Sequence, residues 1–189
     1  MKWNIHIKLI TSKAYGTLKM LTRIKRFVPY HLRKQLVESL VLSRLDYGNA
    51  LFHNAPAYLH QQLQRIQNAS ASFVRGRYSK KTDVISLNWL PIYERTEFSM
   101  AKLAWKSINS PNWPSFLPMV RMVPRRSLRS NNQPGTMLAC SNISNTFEYD
   151  AARIFNRLPQ KCRDSSNYKD FCNETKKFLL DQAFAKILI

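Results

Sequence analysis

The stretch WNIHIKLITSKAYGTLKMLTRI, residues 3–24, decides the fold class. Trp3, Ile7, Ile10, Ala14, Leu18, Leu21 and Ile24 recur at steps of three and four, the repeat of one face of an α-helix. At about 100° per residue, Lys8, Lys19, Arg23 and Arg26 fall on the opposite side. One rod therefore carries an apolar stripe for packing and a cationic stripe, and docking the first fixes where the second points. Gly16 weakens this helix slightly. Pro29 ends it, because it disfavours α geometry at Val28 and suits the first turn of a new helix.

The same pattern continues along the chain. A second helix is predicted on Leu32, Leu36, Val37, Leu40, Val41 and Leu45, with Arg33, Lys34 and Glu38 on the wet side and a stop near Gly48-Asn49. Ala55-Pro56 restarts the chain into a third helix on Leu59, Leu63, Ile66, Ala69 and Phe73. Gly76-Arg77-Tyr78-Ser79-Lys80-Lys81 reads as a basic turn, after which Thr82 or Asp83 caps a short helix ending at Trp89-Leu90-Pro91. A long helix follows over about residues 92–108, stopped by Asn109-Ser110-Pro111. Thr136 to Cys140 has the texture of a short strand, pairing near Thr146 and Phe147. Two closing helices are predicted over residues 149–158 and about 166–184, the second with Ser165 or Ser166 as N-cap. The expected fold is mainly α, an array of amphipathic helices with a small irregular or β insert near residues 130–147. Four regions result: a three-helix region at 1–76, a helical connector at 77–120, a basic loop at 121–147 with room for a short β-hairpin, and a helical segment at 148–189.

Charge narrows the function. The 189 residues hold 30 Lys and Arg against 11 Asp and Glu, a net +19. That excess repels itself in a folded chain and is usually offset by a polyanion. It is also unevenly placed. Residues 1–37 carry nine bases and no acid, and residues 98–147 carry six bases and no acid. Two acid-free stretches point to two polyanion-facing surfaces rather than a generally solubilised exterior. With 44% apolar residues the chain has enough material for a core. No run of about 18 uninterrupted apolar residues occurs, so no membrane span is expected, and the first ten residues lack the pattern of a secretory signal. Three cysteines, an odd count, fit a reducing compartment, hence an intracellular one, nucleus or cytoplasm.

Catalytic and metal-binding patterns are sparse. Metal-assisted phosphoryl chemistry needs carboxylates converging on divalent ions, and the nearest acid pairs are Glu94/Glu97 and Glu148/Asp150. The first reads as a helical ion pair with Arg95, the second as acids at a helix N-terminus. Cys140, Cys162 and Cys172 lie 22 and 10 residues apart, and His6, His31, His53 and His60 all lie in the first third, which is no zinc spacing. Only four glycines leave no Gly-rich phosphate loop. The expectation is a chain with no catalytic residue, no metal, no cofactor and no small-molecule substrate.

An ordered set of motifs carries a resemblance. Trp3-Asn-Ile-His-Ile7, Ser43-Arg-Leu-Asp-Tyr-Gly-Asn-Ala-Leu-Phe52 and Leu63-Gln-Arg-Ile-Gln-Asn-Ala69 come first. Leu87-Asn-Trp-Leu-Pro91, Arg126-Ser-Leu-Arg-Ser130 and Phe155-Asn-Arg-Leu-Pro159 follow. Together they resemble the carboxy-terminal part, thumb and post-thumb, of non-LTR (LINE-type, jockey-related) retrotransposon reverse transcriptases, over nearly the whole chain. Phe155 stands where that family usually has Trp. The resemblance implies that the first helices grip a template–primer duplex and that the region beyond helps hold element RNA and target DNA. It also implies a palm domain upstream, carrying the paired aspartates of RNA-directed DNA synthesis that are not in this sequence.

Residues and resemblance converge on a nucleic-acid-binding, non-catalytic segment whose partner is RNA, DNA or a hybrid. The candidate contacts are Lys8, Lys19, Arg23 and Arg26 on the first helix, Arg77, Tyr78, Lys80 and Lys81 in the basic turn, and Arg125, Arg126 and Arg129 in the basic loop. Trp89, Trp105 and Phe73, at helical spacing among Leu and Ile, are expected in the core, with Tyr78 the aromatic free to stack on a base. The alternative is a truncated retroelement relic that binds polyanions nonspecifically. On either reading an isolated thumb exposes apolar surface near Trp3 to Ile10.

Overall fold

In the computed structural model, which describes residues 3–78, 81–117 and 137–188, the opening stretch forms one helix, α1 (Trp3–Ile24). Ile7, Ala14, Leu18 and Leu21 are buried along it, so the predicted stripe is the packed one. Ile24 at its end is exposed, as are Ile5 and Leu9 on the far side. Apolar surface is thus open at the beginning of the chain, as expected there. A 3-10 turn (Lys25–Phe27) leads to Pro29, which stands as N-cap of the next helix.

The second predicted helix is built in three pieces: α2 (Tyr30–Val37), a π-helical turn (Glu38–Leu42) and α3 (Ser43–Asp46). The π turn corrects the predicted face. An i→i+5 turn widens the helix locally and shifts its register. Val37, Val41, Leu42 and Leu45 are buried, while Leu32 and Leu40 are exposed. Leu42, left out of the predicted stripe, lies three residues before Leu45 and is buried with it.

Pro56 opens α4 (Ala57–Arg75), which buries Leu59, Leu63, Ile66, Phe73 and Val74. Gly76 closes it with φ +80°, its N–H donating to the Ser72 carbonyl at 2.9 Å. That left-handed backbone is open to glycine at no steric cost. α5 (Lys81–Ser86) stops earlier than the expected Trp89. Asn88 takes a left-handed φ of 62°, and the Asn88 and Trp89 N–H groups donate back to Ile85 and Val84 at 2.8 and 3.1 Å. This double bond is the Schellman ending of a helix. It leaves Trp89 buried with its indole N–H on Glu38 at 2.6 Å.

α6 (Ile92–Asn109), α7 (Phe147–Asn156), α8 (Gln160–Arg163) and α9 (Tyr168–Leu188) complete the described elements. The expected strand pairing near Thr146 and Phe147 does not form. Thr146 instead caps α7, its hydroxyl accepting the Tyr149 N–H at 3.3 Å, with Glu148 and Asp150 in the first turn where the helix dipole favours acids. Asn156 takes both backbone groups of Leu138, the N–H at 2.9 Å and the carbonyl at 2.8 Å. The described residues contain no strand. The cap of α9 is Asn167, which accepts the Lys169 N–H at 3.1 Å, rather than Ser165 or Ser166. The fold class is mainly α, as the periodicity implied.

The chain divides into two compact units, Met1–Thr96 with Leu180–Ile189, and Glu97–Leu179. In the first, α1 packs on α4 and the α2–α3 helix, with Phe52 and Trp89 in the same core. Gln67, fully buried, donates to the Leu90 carbonyl at 2.8 Å, and Gln64 accepts the Ile92 N–H at 2.9 Å. These two amides tie the turn before α6 onto α4. In the second unit, Phe171 stacks between Trp105 and Phe155, with ring centroids 5.9 and 6.1 Å apart. The Trp105 indole donates to the Ser165 carbonyl at 3.1 Å. Trp89, Trp105 and Phe73 are thus core residues, as expected from their spacing.

Candidate nucleic-acid interface

Because α1 turns its apolar stripe onto α4, the side chains next to that stripe border the seam between the two helices. Leu18 and Thr22 of α1 and Ala69 and Phe73 of α4 form the floor of an open groove of about 670 Å³. Lys25, Arg65 and Arg77 stand on its rims, and Tyr78, 87% exposed, closes one end. A second hollow of about 440 Å³ shares Leu18 and Thr22 and continues along α1 past Tyr15, Lys19 and Arg23. Among the described residues, no carboxylate lines either hollow.

The seam gathers Lys19, Arg23, Arg77 and Tyr78 from the predicted set. Lys8 is exposed on the same side of α1 as Lys19, about 16 Å further along the axis at the usual helical rise. Arg26 is exposed on the 3-10 turn with its guanidinium 5.7 Å from the Phe27 ring centroid, outside the seam. Lys80, Arg125, Arg126 and Arg129 lie outside the described residues, as does the side chain of Lys81. Two cations that the sequence did not single out belong to the seam, Lys25 and Arg65. Lys25 enters through the 3-10 turn, and Arg65 through the side of α4 that meets α1. Neither is visible in the periodicity of one segment.

Electrostatics favours a ligand here. Among the described residues, Lys8, Lys19, Arg23, Lys25, Arg26 and Arg65 have no ion-pair partner. Three acids of this unit are held away from the seam: Asp46 by Arg95 at 2.7 Å, Glu94 by Lys186 at 2.8 Å, and Glu38 by the Trp89 indole. Asp83 accepts from Arg77 at 3.0 Å and lies 4.0 Å from Arg75 Nε. It steadies the turn after α4 while the Arg77 side chain stays 62% exposed. Unneutralised cations converging along one seam raise the local potential and attract a polyanion.

The paired acids do not form the helical ion pair expected with Arg95. Glu94 and Glu97 are both buried, and each is held by a distant base, Lys186 and Arg157, the latter at 3.0 Å. Arg95 reaches Asp46 instead. Tertiary packing brings each acid a cation that lies far along the chain. No group of three or more His, Cys, Asp or Glu among the described residues is placed to hold a metal ion.

One further cavity, about 240 Å³, lies between α4, the start of α6 and the end of α9, against His60, Tyr93, Glu94 and Lys186. Burial pushes the His60 pKa below its ordinary 6.5, outweighing the carbonyls of His53, Phe52 and Ala55 beside the ring. Neither ring nitrogen makes a hydrogen bond. In the second unit, burial pushes the Cys162 thiol up, against the direction that activates a thiolate, and raises Tyr168 to about 12 with help from Cys172. No helix among the described residues is long and apolar enough to cross a membrane.

Comparison with known proteins adds no neighbour: no family model, no curated protein and no solved structure matches the chain.

Proposed function

We propose that this chain is a non-catalytic nucleic-acid-binding segment, akin to the thumb and C-terminal region of a non-LTR retrotransposon RNA-directed DNA polymerase. It holds its partner through phosphates. The observation that carries the proposal is the seam between α1 and α4, where Lys19, Arg23, Lys25 and Arg65 stand without carboxylate partners around an open groove. Phosphate contacts of this kind fix position and affinity without reading bases. The helix supplies rigidity, since α1 is anchored by buried Ile7, Ala14, Leu18 and Leu21, and its charges keep a fixed spacing along a backbone.

The test is direct binding of the purified chain to RNA, duplex DNA and an RNA–DNA hybrid, with heparin as a polyanion lacking bases. The expected result is binding to nucleic acid whose log K falls linearly with log salt, with a slope of about −0.9 per phosphate contacted on a duplex. Failure to bind any of the three at physiological ionic strength refutes the proposal. Heparin bound as tightly as every nucleic acid favours the alternative of a relic with generic polyanion affinity.

A further inference from the structure

The seam is more than a charged rim, and its floor bears on which form of nucleic acid enters. We infer that the α1–α4 groove takes a single strand, with a base stacked on Tyr78 and the flanking phosphates on Lys25, Arg65 and Arg77. This rests on the nucleic-acid reading above and narrows its ligand.

The argument begins with what a duplex can offer. In a duplex the bases are stacked on one another, and the outer surface is phosphate and sugar. Such a cylinder rides on exposed cations but leaves a recessed trough beneath it unfilled. Here the cations do not stand on a convex face alone. They border an open trough of about 670 Å³ lined between its cations by Thr22, Asn68, Ala69 and Ser72, a hollow with room for sugars and an unstacked base. Grooves that hold single strands combine cationic walls with aromatic platforms in this way, and they tolerate any sequence because every base has a π-face.

Tyr78 is the platform. It is the most exposed of the large hydrophobic side chains among the described residues at 87%, it follows Arg77 directly, and it lines the groove rather than the core. The backbone leading into it is defined by two features. Gly76 accepts a left-handed φ of +80°, and Arg77 is anchored to Asp83 at 3.0 Å. The residue next to the ring is thus anchored, which lowers the entropy lost on stacking. In the adjoining hollow Tyr15, 41% exposed, stands beside Lys19 and Arg23, so the same combination of aromatic and cation recurs along the path.

The experiment measures fluorescence anisotropy of the whole chain with a labelled oligouridylate of about twelve nucleotides, within the site size of such grooves. A hybrid duplex of equal length is measured in parallel. The wild type is expected to prefer the single strand. Tyr78→Ala should weaken the oligouridylate by about 5- to 150-fold, the range of one lost base stack, leave the hybrid unchanged, and keep the salt slope. Tyr78→Trp should retain single-strand affinity. Because the side chain is on the surface, these variants are expected to fold as the wild type does, which far-UV circular dichroism checks. An unaltered oligouridylate affinity in Tyr78→Ala, or a wild type that prefers the hybrid, overturns this inference while leaving phosphate binding intact. No binding to either probe overturns both.

Discussion

Neutralising the seam should change the salt dependence of binding before it changes the fold. Consider Lys19→Gln, Arg23→Gln and Arg65→Gln together. All three side chains are exposed and none has an ion-pair partner among the described residues. Glutamine is nearly as good a helix former as lysine or arginine, so α1 and α4 should persist. If Lys8, Lys19, Arg23, Lys25, Arg26 and Arg65 each neutralise one phosphate of a duplex probe, the wild-type slope of log K against log salt is about −5. The triple variant removes half of those contacts and should be shallower by about 2.7. Between about 50 and 200 mM salt the wild type then loses roughly 2,000-fold in affinity and the variant roughly 40-fold. The two should therefore converge as salt rises, which a mere loss of folded protein would not produce. Anisotropy titrations across that series, with circular dichroism on each sample, measure the effect. A slope equal to the wild type's would show that the seam is not where phosphates lie, and the functional reading of α1 would fall with it.

Three other outcomes follow from the packing. Gln67→Met keeps the volume but leaves the Leu90 carbonyl with only the long Arg95 Nε–H bond at 3.4 Å in place of the 2.8 Å amide, which should cost about 1 kcal/mol and lower the thermal midpoint by a few degrees. An unchanged melt would mean that the amide clamp on the turn is not stabilising. Gly76→Ala places a side chain at φ +80° and should cost about 1–2 kcal/mol, read as a lower urea midpoint; equal midpoints would refute the assigned backbone strain. His60 has a folded pKa below 6.5 because of burial, so the unfolded chain takes up the proton first as the solution is acidified. Its contribution is fully present above that value and is lost as pH falls below it. His60→Phe should reduce the loss of stability between about pH 7.5 and 5.5, and an identical loss in both proteins would contradict the desolvation of the half-buried imidazole.

How much of this was legible beforehand depends on the range of the interaction. The α1 stripe was readable because helix periodicity is local: Ile7, Ala14, Leu18 and Leu21 are spaced by the backbone itself and are the residues found buried. The charge imbalance, the sites of Pro29 and Pro56, and the core positions of Trp89 and Trp105 were readable for the same reason. The pairing of Glu94 with Lys186 and Glu97 with Arg157 was not, since nothing nearby in the chain marks either base as the partner. The hairpin expected near Thr146 failed because strand texture is weak evidence when a capping threonine and two acids follow.

Sequence alone determined a mainly helical chain with a cationic flank on its first rod and carboxylates too sparse to balance it. Those properties reside in single residues and in the pitch of the α-helix. Only the tertiary structure decided that Lys25 and Arg65 join Lys19 and Arg23, that Leu18 and Phe73 lie beneath them, and that Tyr78 stands at the end of the same groove. A groove is the space between two helices. Its lining depends on which faces meet, and the left-handed Gly76 at the end of α4 turns the chain into Arg77 and Tyr78 beside it.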